Sequence, residues 1–309
     1  MALYQFLCGV AVMILLSANG CDSNKPVCGK IHQGSKDWPW RVNISTISGS
    51  CLGTLISHEW VLTDIYCEPS LNGTVHLGQS HGNAYEDSRT VAYVTCHSAF
   101  LPWDGLCLLQ LSAPVNFTNT LGPVCLSSTG FFHTGTEAYV DAGYGETEDV
   151  KTVGYNQCKC HLNQLQNDEI CAGKGFNYWW NGCGSNVGGA LVTKKNDTFV
   201  QTGVVQHDNH CPDPESLQSY TDVSYYKKWI INVTHNQASF VDFYLMGHDS
   251  DKYFVCPTFP PTGRPMPTPH DCTDGNDGRD DSIFDSGVTV MHSSFMLLCV
   301  LVLSFSCTG

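Results

Sequence analysis

The loop at residues 183–192, CGSNVGGALV, contains the residues whose types bear most directly on chemistry. Acyl transfer needs a nucleophile, a base that takes its proton and a carboxylate that orients the base. Ser185 has a hydroxyl, whereas Val187, beside the glycine pair, has no atom that can attack a carbonyl. The chain also offers 13 histidines as candidate bases. A nucleophile must lie near both its base and backbone donors for an oxyanion, so the elements that position these groups decide the chemistry.

Several segments, taken in order, resemble those of chymotrypsin-like serine proteases. The loop is similar to the family's Cys-x-Gly-Asp-Ser-Gly-Gly-Pro. The other similar segments are WPWRV at 38–42, GTLISHEWVLTDIYC at 53–67, DGLCLLQLSAPVNFTNTLGPVCL at 104–126, and then AGYGET, EICAG, TGVV and SYTDVSYYKKWI. The similarity runs from Cys28 to Asn236, and the best parallels are membrane-anchored, trypsin-like members similar to prostasin and testisin.

The segments between turns are short, β-rich runs divided by Gly, Asn and Ser, which is typical of an all-β protein. The resemblance implies two packed six-stranded Greek-key barrels in a domain at residues 21–236. Residues 223–233 alone have helical periodicity, with Tyr226, Trp229 and Ile230 on one face. We therefore expect a C-terminal helix that closes the domain.

The resemblance also implies where a catalytic triad would lie. It places Val187 at the nucleophile, Tyr66 at the base and Asp104 at the orienting carboxylate. A phenol with a pKa of about 10 is protonated near neutral pH and is a poor base. These residues predict that the chain is not an enzyme but an inactive homologue of a serine endopeptidase.

Two further features of the family are replaced. Members of the family become active when cleavage frees an Ile-Val-Gly-Gly terminus that pairs with an aspartate. In this chain Lys30-Ile31 is only weakly similar to that cleavage site and lacks the following Val-Gly-Gly. Asn186 stands at the position of the aspartate. Long side chains also stand where the substrate pocket needs room, so the pocket should be narrowed or filled. The pocket-equivalent residues are Asn181, Gln206, His207, Asp208 and Gln218.

Charge and composition indicate which nucleic-acid, metal and protein ligands the chain could bind. A net charge of -14 with only 15 Lys and Arg excludes a nucleic-acid partner. His207 and His210 fall short of a zinc ligand set, so we predict no metal and no cofactor. Tyr178, Trp179 and Trp180 are either an exposed anchor for a protein partner or buried against the barrel.

The 17 cysteines and the leader predict an oxidising compartment. Residues 1–20 have an apolar run and small residues before Cys21, typical of a cleaved signal peptide. The resemblance implies the disulfides Cys51–Cys67, Cys28–Cys125 and Cys183–Cys211, with Cys171 joined to Cys158 or Cys160. It leaves Cys21, Cys96, Cys107, Cys256 and Cys272 unassigned.

Five Asn-x-Ser/Thr sites predict a surface glycoprotein. They are Asn43, Asn72, Asn116, Asn196 and Asn232.

After Asn236 the composition changes, which predicts a disordered Pro/Asp-rich stalk at 237–285. Residues 286–309 end in an apolar run shorter than the roughly 20 residues needed to span a bilayer. Ser286, or Asp285, fits the attachment site of a GPI signal. A short transmembrane helix is the alternative.

Three functions follow from these observations. The first is an inactive protease homologue, on the extracellular face of the plasma membrane or secreted, that binds an unknown protein ligand or serves as a decoy or scaffold. The second is a serine-type endopeptidase with a rearranged site that uses Ser185 and a nearby histidine. The third is a glycosylated adhesion or spacer module.

Overall fold

The structure, a computed structural model, describes residues 28–32, 38–46, 49–67, 72–80, 84–100, 105–130, 133–143, 146–162, 165–173, 186–207, 217–242 and 251–256. Strands dominate this part of the chain. None of the helices within these ranges has the length and apolar character needed to cross a membrane.

The first six strands close into a barrel in the order β1-β2-β3-β6-β5-β4. They are β1 (Arg41–Thr46), β2 (Gly49–Leu55), β3 (Trp60–Asp64), β4 (Thr74–Ser80), β5 (Ala84–His97) and β6 (Leu106–Leu111). Alternate residues point inward, and in β1 these are Val42 and Ile44, both fully buried. Val42 faces Gly53 of β2 and Leu77 of β4, so β1 closes the ring between them.

A second barrel repeats this order with the next strands, β8-β9-β10-β13-β12-β11, and the β11–β12 pairing closes it. They are β8 (Glu137–Gly143), β9 (Glu146–Val153), β10 (Glu169–Gly173), β11 (Ala190–Lys195), β12 (Thr198–Val205) and β13 (Gln218–Asp222). Two short strands, β7 (Cys125–Ser127) and β14 (Phe240–Val241), extend the sheet beside β12 in parallel. The predicted pair of six-stranded barrels is confirmed.

Two short helices accompany the barrels: α1 (Tyr155–His161) and α2 (Lys227–Val233). The helix predicted at 223–233 is present, but it begins at Lys227, four residues later than predicted. Asp222 accepts a hydrogen bond from the Ser224 amide at 2.8 Å, which holds residues 223–226 in turns. Sequence periodicity did not predict α1. Its first turn is capped by Asp251, a residue far along the chain. The Asp251 carboxylate accepts hydrogen bonds from the amides of Asn156 and Gln157, both at 2.8 Å.

The folded domain continues beyond Asn236, so the predicted start of the stalk at 237 is wrong. Strand β14 pairs with β7, the single turn Asp251–Tyr253 packs on α1, and Cys256 is bonded to Cys160. Composition did not reveal these contacts because each partner lies far away in the chain. The rest of the predicted stalk and the C-terminal tail lie outside the described residues.

Five disulfides join the described residues. Cys28–Cys125, Cys51–Cys67 and Cys158–Cys171 are pairs that the resemblance implies, and Cys96–Cys107 and Cys160–Cys256 are pairs left open by the sequence. Because Cys160 is joined to Cys256, the alternative Cys160–Cys171 bond is wrong. The implied Cys183–Cys211 bond lies outside the described residues.

Candidate functional site

Tyr66 lies at the seam between the two barrels. It sits in the single 3-10 turn Ile65–Cys67 that follows β3, and its amide donates to Asp64 Oδ1 at 2.9 Å. The disulfide from Cys67 to Cys51 fixes this turn to β2. The Tyr66 side chain is 46% exposed, and its ring lies against the imidazole of His207 with centroids 4.3 Å apart. The first barrel therefore presents a phenol to an imidazole at the end of β12.

The glycine-rich loop is held tightly from both sides. The amide of Leu52 in β2 donates to the Val187 carbonyl at 2.8 Å, and the amide of Gly188 donates to the Val205 carbonyl at 2.8 Å. The amide of Val205 in turn donates to Gly189 at 2.9 Å. Gly188 has φ +82°, and a Cβ there would lie 2.1 Å from the Leu52 oxygen. Only glycine fits this position without moving the backbone.

The structure brings two of the three predicted triad positions together. Val187 is buried, and its carbonyl oxygen lies 3.5 Å from the sulfur of Cys67, the residue next to Tyr66. Asp104 and the alternative nucleophile Ser185 lie outside the described residues. Within the described residues, the turn that holds Tyr66 therefore lies directly beside the glycine-rich loop.

Beneath the loop lies an ion pair that sequence reasoning missed. Arg41 Nε and Asp141 Oδ2 are 2.7 Å apart, with side chains only 5% and 3% exposed. Asn186, predicted at the activation acceptor position, is buried and donates from Nδ2 to the Asp141 carbonyl at 3.1 Å. A charged residue within the apolar segment WPWRV is the signal that could have revealed Arg41.

The predicted pocket residues fall in two groups. Gln206 and Gln218 are half-buried and bonded along the second barrel: Ser219 Oγ donates to Gln206 Oε1 at 3.1 Å, and the Tyr220 hydroxyl donates to Gln218 Oε1 at 3.3 Å. His207 is exposed. The remaining predicted positions lie outside the described residues, namely Asn181, Asp208, His210 and residues 178–180. Within the described ranges, no three His, Cys, Asp or Glu side chains converge as a metal-binding group.

Two buried titratable groups of the second barrel have raised pKa values. Burial raises the pKa of Asp222 to about 6, an effect that hydrogen bonds from Ser224 and Tyr225 oppose and the nearby carboxylate of Asp168 adds to. Burial also raises the pKa of the Tyr220 phenol well above its ordinary value, with a smaller effect of Glu148. Both groups are therefore held in their protonated form more strongly than in water.

The predicted glycosylation sites lie in different settings. Asn72 and Asn196 occupy left-handed turns with φ of 68° and 54°. Asn116 and Asn232 are exposed, and Asn43 is half-buried within β1.

Two comparisons with known proteins bear on this site. The family model described as Trypsin matches residues 28–230. A tryptase of Mus musculus is 30% identical over 242 residues, which cover 66% of this chain and 86% of the tryptase. The matched segment includes both barrels and the whole of the seam that holds Tyr66 and Val187.

These matches correct the prediction that the chain is not an enzyme. The family and the similar tryptase point to a serine protease, and this finding overturns the prediction. The inference rested on side chains at positions assigned by resemblance, chiefly Tyr66 and Val187, with Asn186 and the missing activation terminus as support. The same acyl-transfer chemistry recurs in proteins with different arrangements of residues, so two side-chain identities do not decide it.

Proposed function

This chain belongs to the trypsin family of serine proteases, and from that premise we propose that it acts at the outer cell surface by binding a polypeptide at the seam between its barrels. The observation that carries the proposal is the pair formed by Tyr66 and His207. A half-exposed phenol whose ring lies tilted against an exposed imidazole offers apolar contact area together with hydrogen-bonding groups.

The rigidity of this pair supports a binding role. Tyr66 is anchored by the disulfide at Cys67 and by its own amide, and His207 follows directly on the end of β12 that the glycine-rich loop holds. A side chain that is already ordered loses little conformational entropy on binding. Ordered aromatic residues of this kind commonly supply much of the binding energy at an interface.

A serine-type endopeptidase with a rearranged site is the second candidate. The family favours it, and so does the imidazole of His207, which lies beside the position at which the resemblance places the base. Ser185 would supply the nucleophile and His207 the base. Binding of an extended polypeptide at the seam is the first step of this function too, so the endopeptidase adds one step to the binding proposal, cleavage of the bound chain.

The proposed location is supported by the composition of residues 1–20 and 286–309 and by the disulfides. Five disulfides in the described part support an oxidising, extracellular environment, in keeping with the leader at 1–20. The small residues and the apolar run within 286–309 support the proposed GPI anchor at Ser286 or Asp285. Phosphatidylinositol-specific phospholipase C should release the chain from intact cells; a chain that stays bound to the membrane would indicate a transmembrane tail.

Binding can be tested with the full chain displayed on cultured cells and a library of random linear peptides. Tyr66→Ala should weaken retention of the selected peptides by at least about tenfold, the usual loss for an ordered aromatic anchor. Tyr253→Ala is the matched control, because Tyr253 is 73% exposed but lies on the C-terminal segment away from the seam. Equal retention by the Tyr66→Ala variant and the wild type would overturn the proposal in favour of an adhesion or spacer module.

Cleavage is measured on the same library. Mass spectrometry would detect new peptide termini, and a phosphonate probe would label a reactive serine. Turnover that is abolished by Ser185→Ala establishes the endopeptidase. Turnover that survives Ser185→Ala comes from a contaminating protease or from another nucleophile, and a phosphonate-labelled peptide map distinguishes these.

A further inference from the structure

A buried ion pair connects the two barrels at a point remote from solvent. Arg41 belongs to β1 of the first barrel and Asp141 to β8 of the second, and Arg41 also donates from Nη2 to the Glu146 carbonyl at 3.0 Å. The guanidinium carbon lies 5.8 Å from the ring centre of Trp38. Burying two charges is costly unless each is paired and hydrogen-bonded, so a pair with these additional partners constrains both strands.

Hydrogen bonds of Asp141 connect the ion pair to the glycine-rich loop. It lies in a bulge of β8, where its Oδ1 accepts a hydrogen bond from the Gly143 amide at 3.0 Å. Its carbonyl accepts from Nδ2 of Asn186, the first described residue of the loop. Asn186 in turn accepts from the amide of Gly189 at 2.9 Å. The ion pair and the loop therefore share one hydrogen-bonded unit.

The same unit reaches the exposed pair at the seam. Gly188 and Gly189 exchange hydrogen bonds with Val205, and His207 stands two residues beyond Val205. Each link from Arg41 to Val205 is therefore a buried side-chain contact or a backbone hydrogen bond, and the chain itself joins Val205 to His207. A shift of Asp141 must displace Asn186, and through it the end of β12.

We propose that Arg41 and Asp141 are positioning residues that hold the 186–189 loop and the Tyr66–His207 surface in place without any cleavage of the chain. In this arrangement an internal cation on β1 orders the loop, so the binding surface is complete as soon as the domain folds. The effect on binding rests on the proposed function; the effect on the loop does not.

Hydrogen exchange on the full chain tests the positioning role directly. Arg41→Gln leaves the Asp141 carboxylate buried without its cation. Exchange at the amides of Gly188, Gly189 and Val205 should then accelerate on the order of a hundredfold, as loss of one member of a buried pair implies. Arg89→Gln is the matched control: Arg89 pairs with Asp87 in a more exposed setting on β5, and its loss should leave these amides unchanged.

Two further variants keep the test decisive if Arg41→Gln does not fold. Asn186→Ala leaves the ion pair intact and should accelerate exchange only in the loop and at the end of β12. The double variant Arg41→Gln/Asp141→Asn has no unpaired charge and should recover most of the protection that either single change loses, a coupling that independent sites do not show.

The outcomes separate the two proposals. Faster exchange in the loop together with weaker peptide retention supports both. Faster exchange with no peptide binding in the wild type supports the positioning role and removes the proposed function. Unchanged exchange in Asn186→Ala, or losses in the single variants that simply add in the double variant, would overturn the positioning role.

Discussion

The two barrels wind their six strands in the same order but fill their interiors with different residues. The interior of the first is largely aliphatic, with Ile44, Leu62, Leu77 and Leu108 all at most 1% exposed. The second contains a smaller apolar cluster and more buried polar or charged residues than the strands of the first, where these are Arg41, Thr54, Thr63 and Asp64. The buried polar residues of its strands are Asp141, Thr152, Thr193, Gln201, Thr202, Thr221 and Asp222.

Because of this difference, the two barrels position their residues at the seam in different ways. The first barrel supplies Tyr66 from a turn fixed by a disulfide and by a strand packed on all sides. The second supplies the glycine-rich loop and His207 from strands whose positions depend on buried polar contacts. Apolar packing tolerates small adjustments, whereas a buried polar contact is either made or lost at considerable cost. Changes that control the site should therefore act mainly through the buried polar contacts of the second barrel, which include the Arg41–Asp141 pair.

The largest effect on stability should come from the aliphatic core. Leu108→Ala in β6 should cost toward the upper end of about 2–5 kcal/mol, because its neighbours are apolar and the resulting cavity has no polar group to hold a water. Leu191→Ala in β11 is the matched change in the second barrel, where the cavity would open near the Tyr220 phenol and should cost less. Urea unfolding monitored by tryptophan fluorescence measures both.

Equal costs for the two substitutions would contradict the proposed difference between the interiors of the barrels. Two separate unfolding transitions would show a greater difference, since each barrel would then respond only to its own substitution. A single transition is expected because β1 and β8 share the buried Arg41–Asp141 pair.

A smaller effect is expected at the contact between the barrels. Gly188→Ala should cost about 3 kcal/mol, because its left-handed backbone is strained with a side chain and the new Cβ would collide with the Leu52 carbonyl oxygen. Gly135→Ala is the control: its φ of +87° is similar, but nothing lies within 4 Å of the new Cβ. The difference between the two variants in urea unfolding isolates the collision. If both cost the same, the loop moves freely against β2 and the seam is looser than described.

The fold was predictable because its motifs are local and ordered along the chain. Segments such as WPWRV and GTLISHEWVLTDIYC specify strands and turns from residues that are close in sequence. The position of Tyr66 beside the glycine-rich loop followed from the same resemblance. Nothing in those motifs indicated that His207 would lie against Tyr66, because the contact depends on the relative placement of two barrels.

Most of the missed features depend on residues that are far apart in the chain. Helix α1 lacks a periodic apolar face, and it is held by Asp251 and by disulfides at Cys158 and Cys160. The Arg41–Asp141 pair joins residues a hundred positions apart. Composition alone made the segment after Asn236 look like a stalk, although two of its residues, Asp251 and Cys256, anchor it to the domain. Local patterns contain no information about such partners.

The smallest of the predicted effects concerns the pH dependence of stability in the second barrel. Burial raises the pKa of Asp222 in the folded state to about 6, so the folded chain holds this proton more tightly than the unfolded chain does. The stabilisation is complete in acid, below the ordinary pKa of an aspartate, and is lost as the pH rises through about 6. Between pH 4 and pH 7.5 the free energy of unfolding should therefore fall by about 2–2.5 kcal/mol from this group alone. Asp222→Asn keeps an oxygen that accepts the hydrogen bond from the Ser224 amide but cannot ionise, so it should remove this contribution to the slope of unfolding free energy against pH.

Asp87→Asn on β5 of the first barrel is the matched control. Urea unfolding of the three chains across this pH range gives the measurement. An unchanged slope in Asp222→Asn would mean that the carboxylate of Asp222 has a cation or water partner in solution, and that the interior of the second barrel is less distinct from the first than the buried carboxylate implies.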